Sequence, residues 1–211
     1  LVNARLALVN ENNKRLHFHL YDYRAQTAAG RIDGLADGTL IARVPNTAPT
    51  PQGTLVSPPV GGGTNWWSAA YSPRTELYYV NAYDGEQKYF KRDEDYVEGE
   101  RFTGGGGENV LPQDAYQSAI RAIDPRTGDL RWEFLLQPRA SAGVLATAGD
   151  LVFSGGVDGY FYALDAVSGR ELWHIQLGAR VHSAPMSFAV DGQQYVTVAA
   201  GNVVYTFGLD E

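Results

Sequence analysis

The chain has 211 residues, 44% hydrophobic and 19% charged, enough for one or two soluble domains with a sizeable core. Its net charge of −7, with Lys and Arg dispersed, leaves no basic footprint for nucleic acid. No apolar run approaches the ~18 residues of a membrane-spanning helix, and the lack of cysteine excludes disulfides and thiolate chemistry within these residues.

Turn formers and aromatics, 24 Gly and 10 Pro beside 13 Tyr and 4 Trp, point to an all-β architecture. The chain starts Leu-Val-Asn rather than with Met and Arg5 to Val9 already reads as a strand, so an internal start is expected rather than a leader, either by processing or because the chain is a piece of a longer protein. Arg5 to Asn10 and Leu16 to Tyr23 read as a hairpin around Asn12-Asn13-Lys14. His17 and His19 alternate on one face of its second strand, but no third ligand stands at a sensible spacing, and no metal site is assigned. Segment 42–64 reads as a Pro/Gly/Thr loop, followed by a hairpin of Trp67 to Tyr71 and Glu76 to Asn81 around Ser72-Pro73-Arg74. Residues 84–117 read as a long charged insertion loop, and loops of that length in compact folds are usually functional or mobile. Within it, Asp93-Glu94-Asp95 reads as a solvated loop, with a Ca²⁺ site or a partner-docking patch as the lesser alternative, and Gly104 to Gly107 lacks the Gly-Lys-Ser/Thr of a phosphate loop.

The second half repeats itself. Ala122-Ile-Asp-Pro-Arg-Thr-Gly-Asp-Leu-Arg-Trp132 superposes on Ala163-Leu-Asp-Ala-Val-Ser-Gly-Arg-Glu-Leu-Trp173, with the two Trp residues 41 positions apart. Each unit reads strand, turn, strand: an Asp opens the turn and can accept backbone N–H groups, and a Gly supplies positive φ. Val144 to Ala163 divides into three short strands at Ala148-Gly-Asp150 and Gly155 to Gly159, and a last hairpin turns at Gly201-Asn202. Four short strands per unit of roughly 40–50 residues is the period of a β-propeller. Trp132 and Trp173 read as large rings packed between neighbouring blades.

The pattern Ala-x-Asp-x-x-Thr/Ser-Gly-x-x-x-Trp resembles the tryptophan-docking motif of pyrroloquinoline-quinone (PQQ) dependent dehydrogenases. So do Leu145-Ala-Thr-Ala-Gly-Asp-Leu-Val-Phe and Asp158-Gly-Tyr-Phe-Tyr-Ala-Leu-Asp165, while Gly62-Gly-Thr-Asn-Trp-Trp-Ser68 is similar to a stretch of their alcohol dehydrogenase branch. Asp191 to Gly201 resembles the closing blade. The resemblance runs in order over nearly the whole chain. It implies a partial propeller, about three to four blades from the C-terminal part of a single eight-bladed quinoprotein domain spanning 1–211 here, completed by the remaining blades.

What the resemblance implies for chemistry is PQQ on the propeller axis beside Ca²⁺ or a lanthanide, hydride transfer from an alcohol to the quinone, and electrons passed to a c-type cytochrome in the periplasm. Such a cofactor carries the redox chemistry while the protein orients it. Asn65 matches the family Asn that hydrogen-bonds the quinone, a task suited to an amide that both donates and accepts. Trp66 is expected to line the same pocket. Lys14 aligns with an Arg or Lys near the quinone oxygens, where a fixed cation would stabilise developing negative charge. Ser141 stands where some members carry a Trp, which alters the expected pocket shape. The catalytic Asp and the cation ligands are expected upstream of Leu1. Against this stands a non-enzymatic scaffold with the same repeat, such as the lipoprotein that assists outer-membrane barrel assembly, or a paralogue that kept the fold and lost the site. A bare scaffold needs neither Gly61 to Ser68 nor the 84–117 insertion.

Overall fold

The computed structural model describes residues 46–110, 116–137 and 142–208, together with the backbone of two short strands, β1 (Ala7–Val9) and β2 (Arg15–His17). These two pair antiparallel, Ala7 opposite His17 and Val9 opposite Arg15, as the expected hairpin requires. Lys14, His19 and Ser141 lie outside the described residues. All regular structure among the described residues is β, in antiparallel sheets.

Three sheets follow the chain as successive blades. β3 (Thr54–Val56) precedes the first, which starts with β4 (Ala70–Ser72) and β5 (Leu77–Asp84). The chain then leaves this sheet for β6 (Gln87–Lys91) and β7 (Gly105–Asn109), and returns to it as β8 (Gln117–Ile123) and β9 (Leu130–Leu136). The second blade runs β10 (Leu145–Ala146), β11 (Leu151–Gly155), β12 (Tyr160–Asp165) and β13 (Glu171–Gln176), in chain order across the sheet. β14 (Met186–Val190), β15 (Gln193–Ala200) and β16 (Val203–Gly208) form the third.

Segments 42–64 and 84–117, expected as loops, carry regular structure: β3, β6 and β7 form their own three-stranded sheet. Its register places Thr54 opposite Tyr89, and Lys88 and Phe90 opposite Glu108 and Gly106. The glycines hid β7 from a propensity reading, yet a side chain at Gly105 would collide with the Phe90 carbonyl. Glu94 does more than solvate its loop. Its carboxylate accepts the backbone N–H groups of Thr103 (2.9 Å) and Gly104 (2.5 Å), which hold its pKa below the usual range.

Alternation on the strands builds two cores between blades. Leu77, Tyr79, Ile120, Ala122 and Trp132 of the first blade meet Val144, Val152, Leu164 and Ala166 of the second. From the opposite face of β12, Phe161 packs with Ala142, Leu177, Val181, Val198 and Ala200 toward the third. A strand covered on both faces loses the clean hydrophobic–polar alternation, which is why β8 is buried from Ser118 to Ala122.

The repeated motif is repeated geometry. Each unit shifts register at the same place, between Ala122 and Ile123 and between Ala163 and Leu164. Asp165 Oδ1 accepts the N–H groups of Val167 (3.1 Å) and Ser168 (2.8 Å) and the Ser168 hydroxyl (2.7 Å). Those bonds, the Ser168 side chain first among them, hold the Asp165 carboxyl below its usual 3.8. On the turn so formed lies Trp132 of the preceding blade. Its indole N–H donates to Ala166 O at 3.0 Å, and Gly169 (φ +71°) leaves room for the ring: a Cβ there would stand 2.5 Å from Cε3. Trp173 differs. It is 40% exposed and packs edge-on to Phe207 at 5.4 Å.

Candidate functional site

The heads of the three blades' first strands converge. Val144 N–H donates to Ser68 O at 2.8 Å, and Gly143 N–H donates to Ser183 O at 3.2 Å, so one short segment of the second blade ties the first to the third. Gly143 is required there: a Cβ would lie 2.5 Å from the Ala184 Cβ, 2.7 Å from its Cα and 2.7 Å from Ser68 Oγ. Ser154 Oγ fastens the segment from behind by donating to Gly143 O at 2.9 Å.

Trp67 and His182 immediately precede the two tied serines. The loop that delivers Trp66 and Trp67 is folded by its own backbone. Gly62 (φ +79°) donates its N–H to Pro59 O at 2.8 Å, and Tyr83 donates its N–H to Gly63 O at 2.8 Å, laying the loop over the end of β5. Asn65 sits inside this turn. Its amide donates to Gly61 O and its Oδ1 accepts the Trp66 N–H, both at 2.8 Å. Those bonds use one of two amide hydrogens and one of two acceptor sites, so the exposed Asn65 keeps one of each for a ligand.

Three rings meet at this point. Trp66 and Trp67 lie 5.1 Å apart, and His182 stands edge-on to both, at 5.6 and 5.4 Å. Trp66 is 68% exposed, whereas the Trp67 indole nitrogen is buried without a hydrogen-bond partner. A buried, unsatisfied donor costs free energy unless an acceptor reaches it. The amide of Asn81, on β5, is likewise buried with both polar atoms unpartnered. No carboxylate occurs in residues 59–68, 142–144 or 181–184, so nothing in these three segments opposes an anionic ligand.

Of the residues singled out in the sequence, Asn65 and Trp66 are brought together here, and Lys14 falls outside the described residues. Trp67, His182 and Gly143 escaped notice. The signal for them was positional: each sits beside the head of a blade's first strand. Asp84 and Glu133 serve structure. Arg121 donates to Asp84 (2.7 Å) and Glu133 (2.7 Å) on the other face of the first blade. Burial opposes that charge, but the two carboxylates outweigh it and raise the guanidinium pKa. Among the described residues no group of three His, Cys, Asp or Glu is placed to hold a metal ion.

Comparison with known proteins gives four results. The family model described as outer membrane protein assembly factor BamB matches residues 117–210, the tryptophan-repeat blades without the Asn65 loop. The quinoprotein ethanol dehydrogenase of Pseudomonas aeruginosa is 40% identical over 193 residues, 87% of this chain and 31% of that protein. The quinoprotein alcohol dehydrogenase PedE of Pseudomonas putida is 41% identical over 157 residues, 74% of this chain and 25% of that protein. Among solved structures, a europium-containing methanol dehydrogenase superposes with a TM-score of 0.65 at 30% identity, over 75% of this chain and 28% of that one. The chain therefore spans less than a third of the length of the relatives it matches.

Proposed function

Because this chain belongs to the quinoprotein (PQQ-dependent) alcohol dehydrogenase family, we propose that it forms the C-terminal part of a single propeller domain that oxidises alcohols in the periplasm. The observation that carries this reading is the buried indole N–H of Trp67 beside Asn65 and Trp66, where three blades meet. A planar quinone bearing carboxylates fits these residues: it offers an acceptor to an unsatisfied donor, aromatic surface is at hand, and no acidic side chain in the three segments repels it.

PQQ, when bound, supplies the two-electron acceptor for hydride from the alcohol carbon, as is the division of labour with such cofactors. In this chain, Asn65 would hold the quinone edge through its spare amide hydrogen, Trp67 would donate to it, and Trp66 would wall the pocket from water. Lys14 would place a fixed positive charge near the quinone oxygens. The general base and the Ca²⁺ or lanthanide ligands are assigned to other blades of the same protein, and a c-type cytochrome to the role of acceptor. No helix among the described residues is long and apolar enough to cross a membrane.

The scaffold reading draws on the match at 117–210, but those residues hold the docking repeat that enzymes and scaffolds share. The test is reconstitution of the full-length protein with PQQ and either Ca²⁺ or a lanthanide, followed by dye-linked oxidation of primary alcohols. Turnover is expected only with both added. A protein that takes up no PQQ and turns over no alcohol would establish the scaffold instead.

A further inference from the structure

We propose that His182 is a positioning residue for the pocket, holding the Trp66–Trp67 pair from across the second blade; this rests on the functional reading above. The two indoles touch each other at 5.1 Å, and the ring they share beyond that pair is His182. The loop backbone is set by Gly62, Asn65 and the Gly63–Tyr83 bond, all on the first blade. The rings themselves meet His182, which comes from the third blade, and both meetings are edge-on, with interplanar angles of 82° and 75°. Edge-to-face contact is the preferred geometry for aromatic neighbours, so the imidazole favours one orientation of each indole.

The spacing between loop and imidazole is not left to those rings. Ser68, next to Trp67, and Ser183, next to His182, are both tied through their carbonyls to the Val144–Gly143 pair. With Gly143 in contact with Ala184 and Ser68, the three backbones cannot drift apart or closer without breaking a bond or a contact. His182 therefore acts from a fixed base. What it sets is where the Trp67 N–H points, and thereby how well a bound quinone is seated. Misplacing a positioning group by about 1 Å can cost on the order of 100-fold in rate.

His182 is exposed and belongs to neither inter-blade core, so its replacement leaves the blades packed. The experiment uses the full-length protein and three variants: His182→Ala, His182→Phe and His182→Asn. PQQ is titrated into each apoprotein and its Kd read from quenching of indole fluorescence, and near-UV circular dichroism of the apoprotein reports the indole pair directly. His182→Ala is expected to lose indole ellipticity, to raise the PQQ Kd about tenfold or more, and to lower kcat at saturating PQQ with the alcohol KM within about twofold. His182→Phe, which keeps a ring edge for both indoles, restores Kd and kcat. His182→Asn, which keeps an N–H and loses the ring, does not. A wild-type Kd in His182→Ala overturns the proposal, and so does rescue by Asn without rescue by Phe. Wild-type protein that takes up no PQQ would overturn the functional reading as well, so the two failures are told apart by the wild-type titration alone.

Discussion

The Ala166 carbonyl accepts two buried donors from the neighbouring blade, and this pairing makes a quantitative test of how blades dock. The Trp132 indole donates at 3.0 Å and the Tyr79 hydroxyl at 2.9 Å, and Ala166 itself is 1% exposed. Tyr79→Phe removes one donor with little change in volume; Thr75 Oγ, 2.5 Å from the Tyr79 hydroxyl, loses a partner at a half-buried residue. The expected cost is about 1 kcal/mol, the net worth of a hydrogen bond whose acceptor stays satisfied. Trp132→Phe loses the other donor and some ring volume, for about 1–3 kcal/mol. In the double variant the carbonyl is buried with no donor, which adds an orphaning penalty of about 1–3 kcal/mol that neither single change incurs. The volume loss cancels in the double-mutant cycle and the orphaning term does not, so coupling of at least ~1 kcal/mol is expected. Equilibrium urea unfolding of the full-length protein and its three variants measures it. Additivity within about 0.3 kcal/mol would mean the two donors do not share this acceptor, and the docking geometry would be wrong.

Gly169→Ala and Gly192→Ala both force alanine into left-handed backbone (φ +71° and +85°), a strain of about 1–2 kcal/mol each. Only at Gly169 does the new methyl meet a ring, so that variant should be less stable by a further ~1–3 kcal/mol in thermal or urea unfolding; equal losses would refute the docked ring. Asp84→Asn weakens the ion pairs of the buried Arg121 and should cost about 3 kcal/mol, at the lower end for buried pairs because Glu133 still holds the guanidinium; a loss under ~1 kcal/mol would show the cluster to be solvated. The Asp165 carboxyl has a folded pKa below its unfolded value, so the folded state binds fewer protons between the two. Its stabilisation is complete above the unfolded value near 3.8 and is lost as pH falls through the folded one. Acid titration of stability should be shallower below pH ~4 in Asp165→Asn than in the unaltered protein, and an identical profile would remove Asp165 from the acid response.

The sequence by itself determined the blades. Everything the tryptophan repeat needs is local: an Asp that accepts N–H groups two and three residues on, a Gly at positive φ, and strands short enough to end at the next turn. Such information sits within a dozen residues, so two copies 41 residues apart made it legible; the matching register shifts came only from the structure. What failed locally was the sheet of β3, β6 and β7. Its glycines carry no β propensity, and its pairing across the 42–64 and 84–117 segments is set by close backbone approach.

The candidate site was legible only in part. Asn65 and Trp66 were singled out through their neighbours in the Gly62 to Ser68 stretch, which says where a loop residue stands and nothing about what meets it. Tertiary structure alone decided that His182, far along the chain, closes on Trp66 and Trp67, and that Gly143 must be small to let three strands approach. The physical reason is the architecture: stacked blades bring the heads of their first strands together whatever lies between them in sequence. Such contacts have no period and leave no motif, so the residues carrying them become visible only when the blades are in place.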